Sequence, residues 1–550
     1  MKKLITYCII LLAIAAKAQK HTYIYFVAFK DKNNSTFSIK KPQEFLSEKA
    51  LQRRAKYQII IEESDLPVNQ NYINTICNKR VKFKSASKWL NGILIEITDT
   101  DVIREIAKRE FVAATVQVAY YDFLKKPGNE VTEEAPTYSN PVPSGDIQNI
   151  YGEGFDQIKM LQGIMLHQLN YNGEGVTIGV LDAGFLNANK LPWFARLRQN
   201  NQIVVCKDFV DNDSYVFDGN PHGLQVLSCM ATGDTGTFIG TAPRAKYLLL
   251  RSEDAETEQL VEEINWAVAA EYADSAGVDL ITSSLGYNLF DDTKTSHTYA
   301  HLDGNTAYVT RAAEMAFSKG IVVVCSAGNE GGNQWRHIGF PADAKHAITV
   351  GAVDKNRHIA YFSSQGPTTD GHIKPDVSAL GVSATVESPF DDVSHSDGTS
   401  FSAPITAGMV ACLMQAHPQS TPQQIADAVR ASGDRAEIAD TIYGMGIPDF
   451  YLAHLMLGDS TFNFKNDLLI NVSYSGDDKL LSFTIYSATT QIMGFKIIDE
   501  NGNILKTGTQ QCIGKKFRHF YIDELELPKS AKGYGFVLEN DAHRTFIRLF

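Results

Sequence analysis

The run Val176-Thr177-Ile178-Gly179-Val180-Leu181-Asp182 gives the clearest structural signal in the central part of this sequence. Its residues are apolar or β-branched at consecutive positions, a pattern typical of a strand buried on both faces of a parallel sheet. Comparable runs recur at 203–205, 247–250, 278–282, 321–324 and 347–350, and helical patterns at 259–273 and 305–319 lie between them. This alternation predicts an α/β fold, a parallel sheet flanked by helices.

The patterns on either side of this α/β region differ from it. Residues 23–122 mix strand-like runs with amphipathic helical stretches at Pro42–Tyr57 and Asp101–Glu110, which predicts a small α+β domain. Beyond residue 460 the strands alternate in polarity, and Asn501-Gly502 separates two of them as in a hairpin. A small β-sandwich is therefore expected at the C-terminal end.

The N-terminus has the three parts of a cleavable export signal: Met1-Lys2-Lys3, the apolar stretch Leu4–Ala16 and the small-residue step Ala16-Lys17-Ala18. Later segments lack the roughly 18 uninterrupted apolar residues of a membrane span. We therefore expect a protein that is secreted or displayed at the cell surface, without a membrane-spanning segment. The predicted division is a signal peptide (1–18), an α+β domain (19–124), a linker rich in Pro, Glu and Ser (125–147), the α/β domain (148–458) and the β-sandwich (459–550).

The charge balance excludes one class of partner. The chain has 51 Lys and Arg against 63 Asp and Glu, a formal net charge of -12 at pH 7. Binding to nucleic acid depends mainly on cationic side chains that neutralise phosphates, and no basic surplus is present here. Nucleic acid is therefore not expected as a partner.

Three residues have the chemistry of a nucleophile, a base and an orienting acid. Asp182 ends the quoted strand, His222 stands where a turn leads into a helical pattern, and Ser400 opens another helical stretch. Each has an ordinary structural explanation alone, as a turn former, a packing residue or a helix cap. Together they supply the groups that general-base activation of a hydroxyl requires.

Two further segments follow predicted strands. Asn329 lies in the glycine-rich stretch Ser326-Ala327-Gly328-Asn329, where its amide can donate to an oxygen that becomes negative in a transition state. Ser284-Leu285-Gly286 offers backbone groups that can pair with an extended peptide. Because ligand sites of α/β sheets form at the carboxyl ends of strands, these segments are expected to meet.

The motifs and their order (Asp, His, Asn, Ser) resemble those of the subtilase family of serine peptidases. The resemblance spans about 148–457 and is carried by Val180-Leu181-Asp182-Ala183-Gly184, Ser326-Ala327-Gly328-Asn329 and Gly398-Thr399-Ser400-Phe401-Ser402-Ala403-Pro404. It implies a subtilisin-like sheet and a serine endopeptidase that cleaves proteins or peptides through an acyl-enzyme.

The resemblance also implies a role for each candidate. Ser400 would be the nucleophile, His222 the base, Asp182 its orienting partner and Asn329 the oxyanion donor. The implied substrate-binding residues are Ser284, Leu285, Gly286, Ala327 and Gly328. No cofactor follows from the residues; the family's calcium sites are expected without assignable ligands.

The flanking regions resemble known parts of exported proteins. Residues 19–124 occupy the place of the family's propeptide, an intramolecular inhibitor of a zymogen, and Ser85-Ala86-Ser87-Lys88-Trp89-Leu90-Asn91-Gly92 is similar to segments of Bacteroidetes subtilases. The last ninety or so residues resemble the sorting domains of the type IX secretion pathway, which would make secretion machinery a partner. A plain accessory β-sandwich is the alternative.

The sequence departs from the family pattern after the histidine, where Leu224 and Gln225 replace the usual Thr and His, and at Ala183. These changes keep every proton-transferring group and bear on substrate preference and rate. They motivate an alternative function, a catalytically weak peptide-binding protein on the same fold. Esterase or transpeptidase action through the same acyl-enzyme is a third hypothesis.

Overall fold

The computed structural model describes residues 21–122, 147–458, 468–475, 479–487, 490–512, 516–522, 525, 527, 534–539 and 544–548. The predicted signal peptide and nearly all of the predicted linker lie outside these ranges. The described residues form two compact units, one up to residue 457 and one from residue 458 onward.

The N-terminal part of the first unit is the predicted α+β domain. Its four antiparallel strands are β1 (His21–Phe29), β2 (Lys82–Ser87), β3 (Gly92–Ile97) and β4 (Val112–Asp122), in the order β2-β3-β1-β4. Its helices are α1 (Glu48–Lys56), α2 (Gln70–Ile76) and α3 (Asp101–Ile106). Helix α1 begins later than the predicted Pro42, because Ser47 caps it by accepting a hydrogen bond from the Ala50 amide, at 3.2 Å.

The central sheet has seven parallel strands in the order β13-β12-β11-β10-β5-β9-β6. The strands are β5 (Thr177–Asp182), β6 (Ile203–Asp208), β9 (Lys246–Arg251), β10 (Leu280–Ser283), β11 (Val322–Ser326), β12 (Ile348–Val353) and β13 (Val377–Leu380). Two small hairpins pair β7 (Gly233–Asp234) with β8 (Phe238–Ile239) and β14 (Ala384–Glu387) with β15 (Val393–Ser396). The predicted parallel α/β sheet is confirmed.

Helices cover both faces of this sheet, as expected. The helices of this region are α4 (Ile147–Tyr151), α5 (Phe155–Met160), α6 (Gly163–Gln168), α7 (Ala195–Gln199), α8 (His222–Ala231), α9 (Val261–Ala276), α10 (Tyr308–Ser318), α11 (Thr399–Ala416), α12 (Pro422–Ala431) and α13 (Phe450–Gly458). One hydrophobic core joins the sheet to α8 and α11, and the other joins it to α9 and α10. Such two-sided burial explains the apolar strands read from the sequence.

The second unit is built from antiparallel strands. One sheet has the order β16-β17-β20 and the other β19-β18-β21-β22. The strands are β16 (Leu468–Ser475), β17 (Leu480–Ser487), β18 (Gln491–Ile498), β19 (Ile504–Cys512), β20 (Lys516–Ile522), β21 (Gly535–Glu539) and β22 (Arg544–Arg548). Phe483 of the first sheet and Phe495 of the second share one hydrophobic cluster, which agrees with the predicted small β-sandwich.

Candidate active site

Asp182 and His222 form a hydrogen-bonded pair at the carboxyl edge of the sheet. Asp182 is the last residue of β5 and is fully buried, and His222 is the first residue of α8. The distance from His222 Nδ1 to Asp182 Oδ1 is 2.8 Å. This bond leaves Nε2 as the ring nitrogen available for proton transfer.

The Asp182–His222 pair depends on close packing of the start of helix α8 against the end of strand β5. Gly223 follows the histidine, and a Cβ atom at that position would lie 2.9 Å from the Cβ of Asp182. Asn220 accepts a hydrogen bond from the His222 amide at 2.8 Å, which fixes the start of α8. Only glycine lets the first turn of this helix sit against the strand end.

Ser400 is the second residue of α11, a helix whose first sixteen residues are buried. Its hydroxyl lies 3.4 Å from the carbonyl oxygen of Ser284, and its own carbonyl accepts a hydrogen bond from the Ser284 hydroxyl at 2.8 Å. The serine therefore stands at the positive end of a helix dipole, beside the end of β10. Both the helix start and the strand end agree with the sequence-based expectation.

Asn329 is oriented by Thr399, the residue just before Ser400. The Asn329 side-chain oxygen accepts hydrogen bonds from the Thr399 amide at 2.9 Å and from its hydroxyl at 3.0 Å. The Gly328 amide donates to that same hydroxyl at 3.1 Å. Because the amide oxygen of Asn329 is occupied, its NH2 group is the end left to donate to a ligand.

One cavity of about 350 Å³ brings these residues together. Its walls include His222, Ser400, Asn329 and Gly328, and also the predicted strand-end residues Ser284, Leu285 and Gly286. Ala327 is not among the residues of the cavity wall: its amide donates to Val350 and its carbonyl accepts from Gly339. Ala327 instead anchors the loop that carries Gly328 and Asn329.

Sequence reasoning missed several residues of this cavity, namely Ala183, Asn220, Glu253, Asn288, Ser326, Glu330, Gly339 and Thr399. Thr399 and Ser326 belong to motifs quoted above. Neither motif indicates which of its residues, besides the predicted ones, contact the cavity. Glu253 follows β9 directly, and its position after a buried strand was a signal that could have identified it.

The electrostatics of the cavity favour a charged His222. Burial by itself would lower the pKa of this imidazole, but attraction to Asp182 and the hydrogen bond with it act the other way. The carboxyl of Glu253 adds to that attraction, and the resulting pKa of His222 is raised above its ordinary value. The base therefore becomes neutral only at a pH above that of a free histidine.

A pH profile tests this conclusion. The kcat/KM for a peptide should rise with pH through a midpoint above about 6.5, because protonated His222 cannot take a proton. Activity is then lost as pH falls through the raised pKa. A midpoint clearly below 6.5, with the protein still folded by circular dichroism, would contradict the electrostatics described here.

Asn329 provides a second test. The variant Asn329→Ala should lower kcat by about 10²- to 10³-fold and leave KM nearly unchanged, because an oxyanion donor acts on the transition state. Initial-rate kinetics with one peptide substrate measure both constants. The matched control is Asn288→Ala, which also alters the cavity wall but leaves the Thr399-oriented amide intact. Equal effects of the two variants on kcat would argue against an oxyanion role for Asn329.

Among the residues that the structure describes, no group of three or more His, Cys, Asp or Glu side chains is placed to hold a metal ion. The calcium sites common in the family therefore stay without assigned ligands. No described helix is both long and apolar enough to cross a membrane.

Comparisons with known proteins agree with the fold. Residues 173–446 match the model of the subtilase family, and residues 24–134 match that of the Peptidase S8 propeptide domain of Bacteroidota. Subtilisin DY of Bacillus licheniformis is 29% identical over 297 residues, which cover 53% of this chain and 94% of the relative. Serine protease AprX of Bacillus subtilis is 30% identical over 304 residues, covering 50% and 65%, and subtilisin E of the same species is 28% identical over 331 residues, covering 58% and 74%.

The fold and the cavity define a serine endopeptidase, which is a hydrolase. The chain belongs to the subtilase family, and a propeptide domain of the Bacteroidota type precedes its peptidase domain.

Proposed function

We propose that this protein is an exported endopeptidase, made as a zymogen, in which Asp182, His222 and Ser400 act as a catalytic triad. The observation that carries the proposal is the 2.8 Å bond between His222 Nδ1 and Asp182 Oδ1, beside a cavity that His222 and Ser400 both line. It supports a histidine that is already oriented for general-base work.

The chemistry follows from these positions. His222 takes the proton of the Ser400 hydroxyl through Nε2, and the serine oxygen attacks the carbonyl carbon of the scissile peptide bond. The carbonyl oxygen becomes an oxyanion, and the Asn329 NH2 group stabilises it. His222 then returns the proton to the leaving amine, and water releases the acyl group from Ser400 by the same steps.

The propeptide domain is proposed to keep the enzyme latent by docking on α9 and α10. Phe26, Trp89, Leu90 and Leu94 of this domain belong to the same hydrophobic core as both helices. Glu271 of α9 accepts hydrogen bonds from the Lys88 and Trp89 amides, at 2.7 and 3.0 Å. These contacts give a physical reason for the Ser87-Lys88-Trp89 segment singled out in the sequence.

Buried ion pairs add to this interface. Asp274 of α9 lies 2.5 Å from Arg53, 2.9 Å from Arg54 and 3.0 Å from Lys88. Although burial would raise the pKa of Asp274, these three cations lower it to about 2. Its stabilising contribution is present above the ordinary Asp pKa and is lost only as pH falls towards 2, so mild acid does not release the propeptide through this residue.

Breaking this network should weaken latency. Replacing Arg54 by methionine keeps much of the volume but removes one of the three cations around Asp274 and one partner of Asp65, and breaking a buried ion pair typically costs about 3 to 5 kcal/mol. The Kd of the processed propeptide for the peptidase domain should then rise on the order of 10²- to 10³-fold above the wild-type value, as measured by native mass spectrometry. The control is Lys56→Met on the same helix, where the side chain is exposed. Equal affinities of the two variants would contradict the proposed role.

Export is proposed from the N-terminal signal pattern, and sorting from the C-terminal β-sandwich. If residues 459–550 direct secretion, a chain that ends at Gly458 should stay inside the producing cell and keep its peptidase domain. Fractionation followed by immunoblotting distinguishes this result from normal export, which would leave the sandwich as an accessory domain.

The triad is tested by the kinetics of the processed protein. A chromogenic ester should give a burst of product equal to the concentration of active sites, followed by slower turnover, because the acyl-enzyme accumulates. Peptide hydrolysis without transfer to added amines separates an endopeptidase from a transpeptidase. Peptide binding without any turnover would instead favour the peptide-binding alternative raised by Leu224 and Gln225.

A further inference from the structure

An acidic segment enters the catalytic cavity from the end of β9. Residues Glu253–Glu263 contain six carboxylates and no Lys, Arg or His. The first of them, Glu253, lines the cavity together with His222 and Ser400. Neither the triad nor the oxyanion donor uses this carboxylate.

The sheet register places Glu253 beside the triad. Arg251 of β9 is opposite Asp182 of β5, and the Ser252 amide donates to the Asp182 carbonyl at 3.0 Å. Glu253 is the next residue, so it follows a backbone that is tied to the orienting acid. The Arg251 guanidinium does not reach it, since it pairs with Asp208 at 2.7 Å and Asp211 at 2.8 Å.

Glu258 and Glu262, which follow Glu253 in this segment, have no Lys or Arg partner among the residues that the structure describes. Within the described part of the chain, Glu263 of this segment pairs with His297 at 2.5 Å, whereas no Lys or Arg forms an ion pair with Glu253, Glu258 or Glu262. Glu262 is only 1% exposed, and its Oε1 atom has no hydrogen-bond partner among the described residues. Buried carboxylates without compensation are costly, and a cation bound at this end of the cavity would relieve that cost.

Burial raises the pKa of Glu253 to about 8, and repulsion by Glu258 and Asp182 adds to the shift. His222 and Tyr287 act in the opposite direction. Glu262, behind them, has a pKa raised to about 10 by burial and by repulsion from Glu253 and Glu258. The carboxyls therefore compete for protons, and a cationic ligand would favour their ionised forms.

The order of the strands shows which substrate residue meets Glu253. The end of β10 lies between β11, which leads to Gly328 and Asn329, and β5, which adjoins β9 and Glu253. An extended peptide that pairs with Ser284–Gly286 turns its successive side chains to opposite sides of its own backbone. If the residue before the scissile bond points toward Asn329, the second residue before that bond points toward Glu253.

We infer that Glu253 forms a specificity subsite for a lysine or arginine at the second position before the scissile bond. This inference rests on the proposed endopeptidase function and deepens it. Glu253 acts on the choice of substrate, whereas the triad carries out bond cleavage.

The test compares peptides that differ at this one position. Cleavage sites are first mapped by mass spectrometry in a digest of denatured protein, which fixes the preferred residue next to the scissile bond. Peptides with Lys, Arg, Gln or Glu at the second position are then assayed with processed enzyme whose active sites have been titrated with a fluorophosphonate. The wild type should prefer Lys to Gln by at least about tenfold in kcat/KM.

Variants of Glu253 test whether its carboxylate causes the preference for lysine. Glu253→Gln should bring the Lys/Gln ratio close to one, and Glu253→Lys should favour Glu over Lys. Glu256→Gln, which removes an exposed carboxylate of the same segment, is the matched control and should keep the wild-type ratio. If Glu253→Gln does not fold, the pH dependence of the wild-type Lys/Gln ratio tests the same carboxylate.

The pH dependence of the Lys/Gln ratio is an independent test of the subsite. The Lys/Gln ratio should rise between about pH 6 and pH 9 as Glu253 ionises among Asp182, His222, Glu258, Glu262 and Tyr287. The inference would be overturned if the Lys/Gln ratio of the wild type stayed near one at every pH, or if Glu253→Gln kept the ratio of the wild type. Either result would indicate that these carboxyls exchange protons with one another and do not bind a cationic side chain. Failure of the proposed function looks different, since folded and processed protein would then neither label with fluorophosphonate nor cleave any peptide.

Discussion

Replacement of Ser400 by alanine should reduce kcat for peptide hydrolysis on the order of 10⁶-fold, an effect as large as any expected of a single substitution in this chain. The variant lacks the oxygen that attacks the carbonyl carbon, so no acyl-enzyme forms. Residual activity should come only from substrate binding and the oxyanion donor, which typically keep about 10³-fold over the uncatalysed rate. Initial rates at saturating peptide measure the loss.

A matched control for this variant is Ser402→Ala, two residues further along α11. Ser402 is buried, and its hydroxyl donates to the Thr399 carbonyl at 3.0 Å rather than to a cavity group. It should change kcat little. A Ser400→Ala protein that is folded and keeps more than about one per cent of wild-type activity would show that another group is the nucleophile.

The second largest effect is expected from Asp182→Asn, with a loss of kcat of about 10⁴-fold. Asp182 accepts a hydrogen bond from His222 Nδ1 at 2.8 Å and from the Ala183 amide at 2.8 Å, both through Oδ1. An asparagine that turns its NH2 group toward the imidazole makes Nδ1 an acceptor and puts the ring proton on Nε2. The histidine then has no lone pair to take the proton of Ser400.

The Asp182→Asn protein also offers a check on the tautomer. Its rate should recover partly at high pH, where deprotonation of the serine hydroxyl no longer depends on a correctly oriented base. The measurement is kcat between pH 6 and 10, beside the wild type. A variant with an unchanged pH profile and a loss below tenfold would show that Asp182 has only a structural role.

Much of the fold was predictable because its physical causes are local. Consecutive apolar positions such as Val176–Leu181 occur where helices cover both faces of a parallel strand, and the sheet has this arrangement. Asp182 and Asn329 were found because each follows such a strand, and His222 and Ser400 because each begins a helical pattern. These signals depend on a few neighbouring residues, which a sequence displays directly.

Contacts between distant segments could not be predicted in the same way. Arg54 forms an ion pair with Asp274, which lies 220 positions later in the chain. The sequence of α1 has no local signal that distinguishes its basic face from that of a solvent-exposed helix. Ala327 was assigned to substrate binding because its motif contains the residues that line the cavity, but its own backbone pairs with Val350 and Gly339. A motif identifies a loop, whereas only the fold determines which of its atoms remain free.

Covalent labelling with a fluorophosphonate tests the assignment of the catalytic triad most directly. The processed, folded protein is treated with the reagent, digested and mapped by mass spectrometry, with Ser400→Ala carried through in parallel. A single adduct on Ser400 in the wild type and none in the variant is the predicted result. An adduct on another residue, or no adduct on wild-type protein whose propeptide has been removed, would contradict the assignment of Asp182, His222 and Ser400 as the catalytic triad.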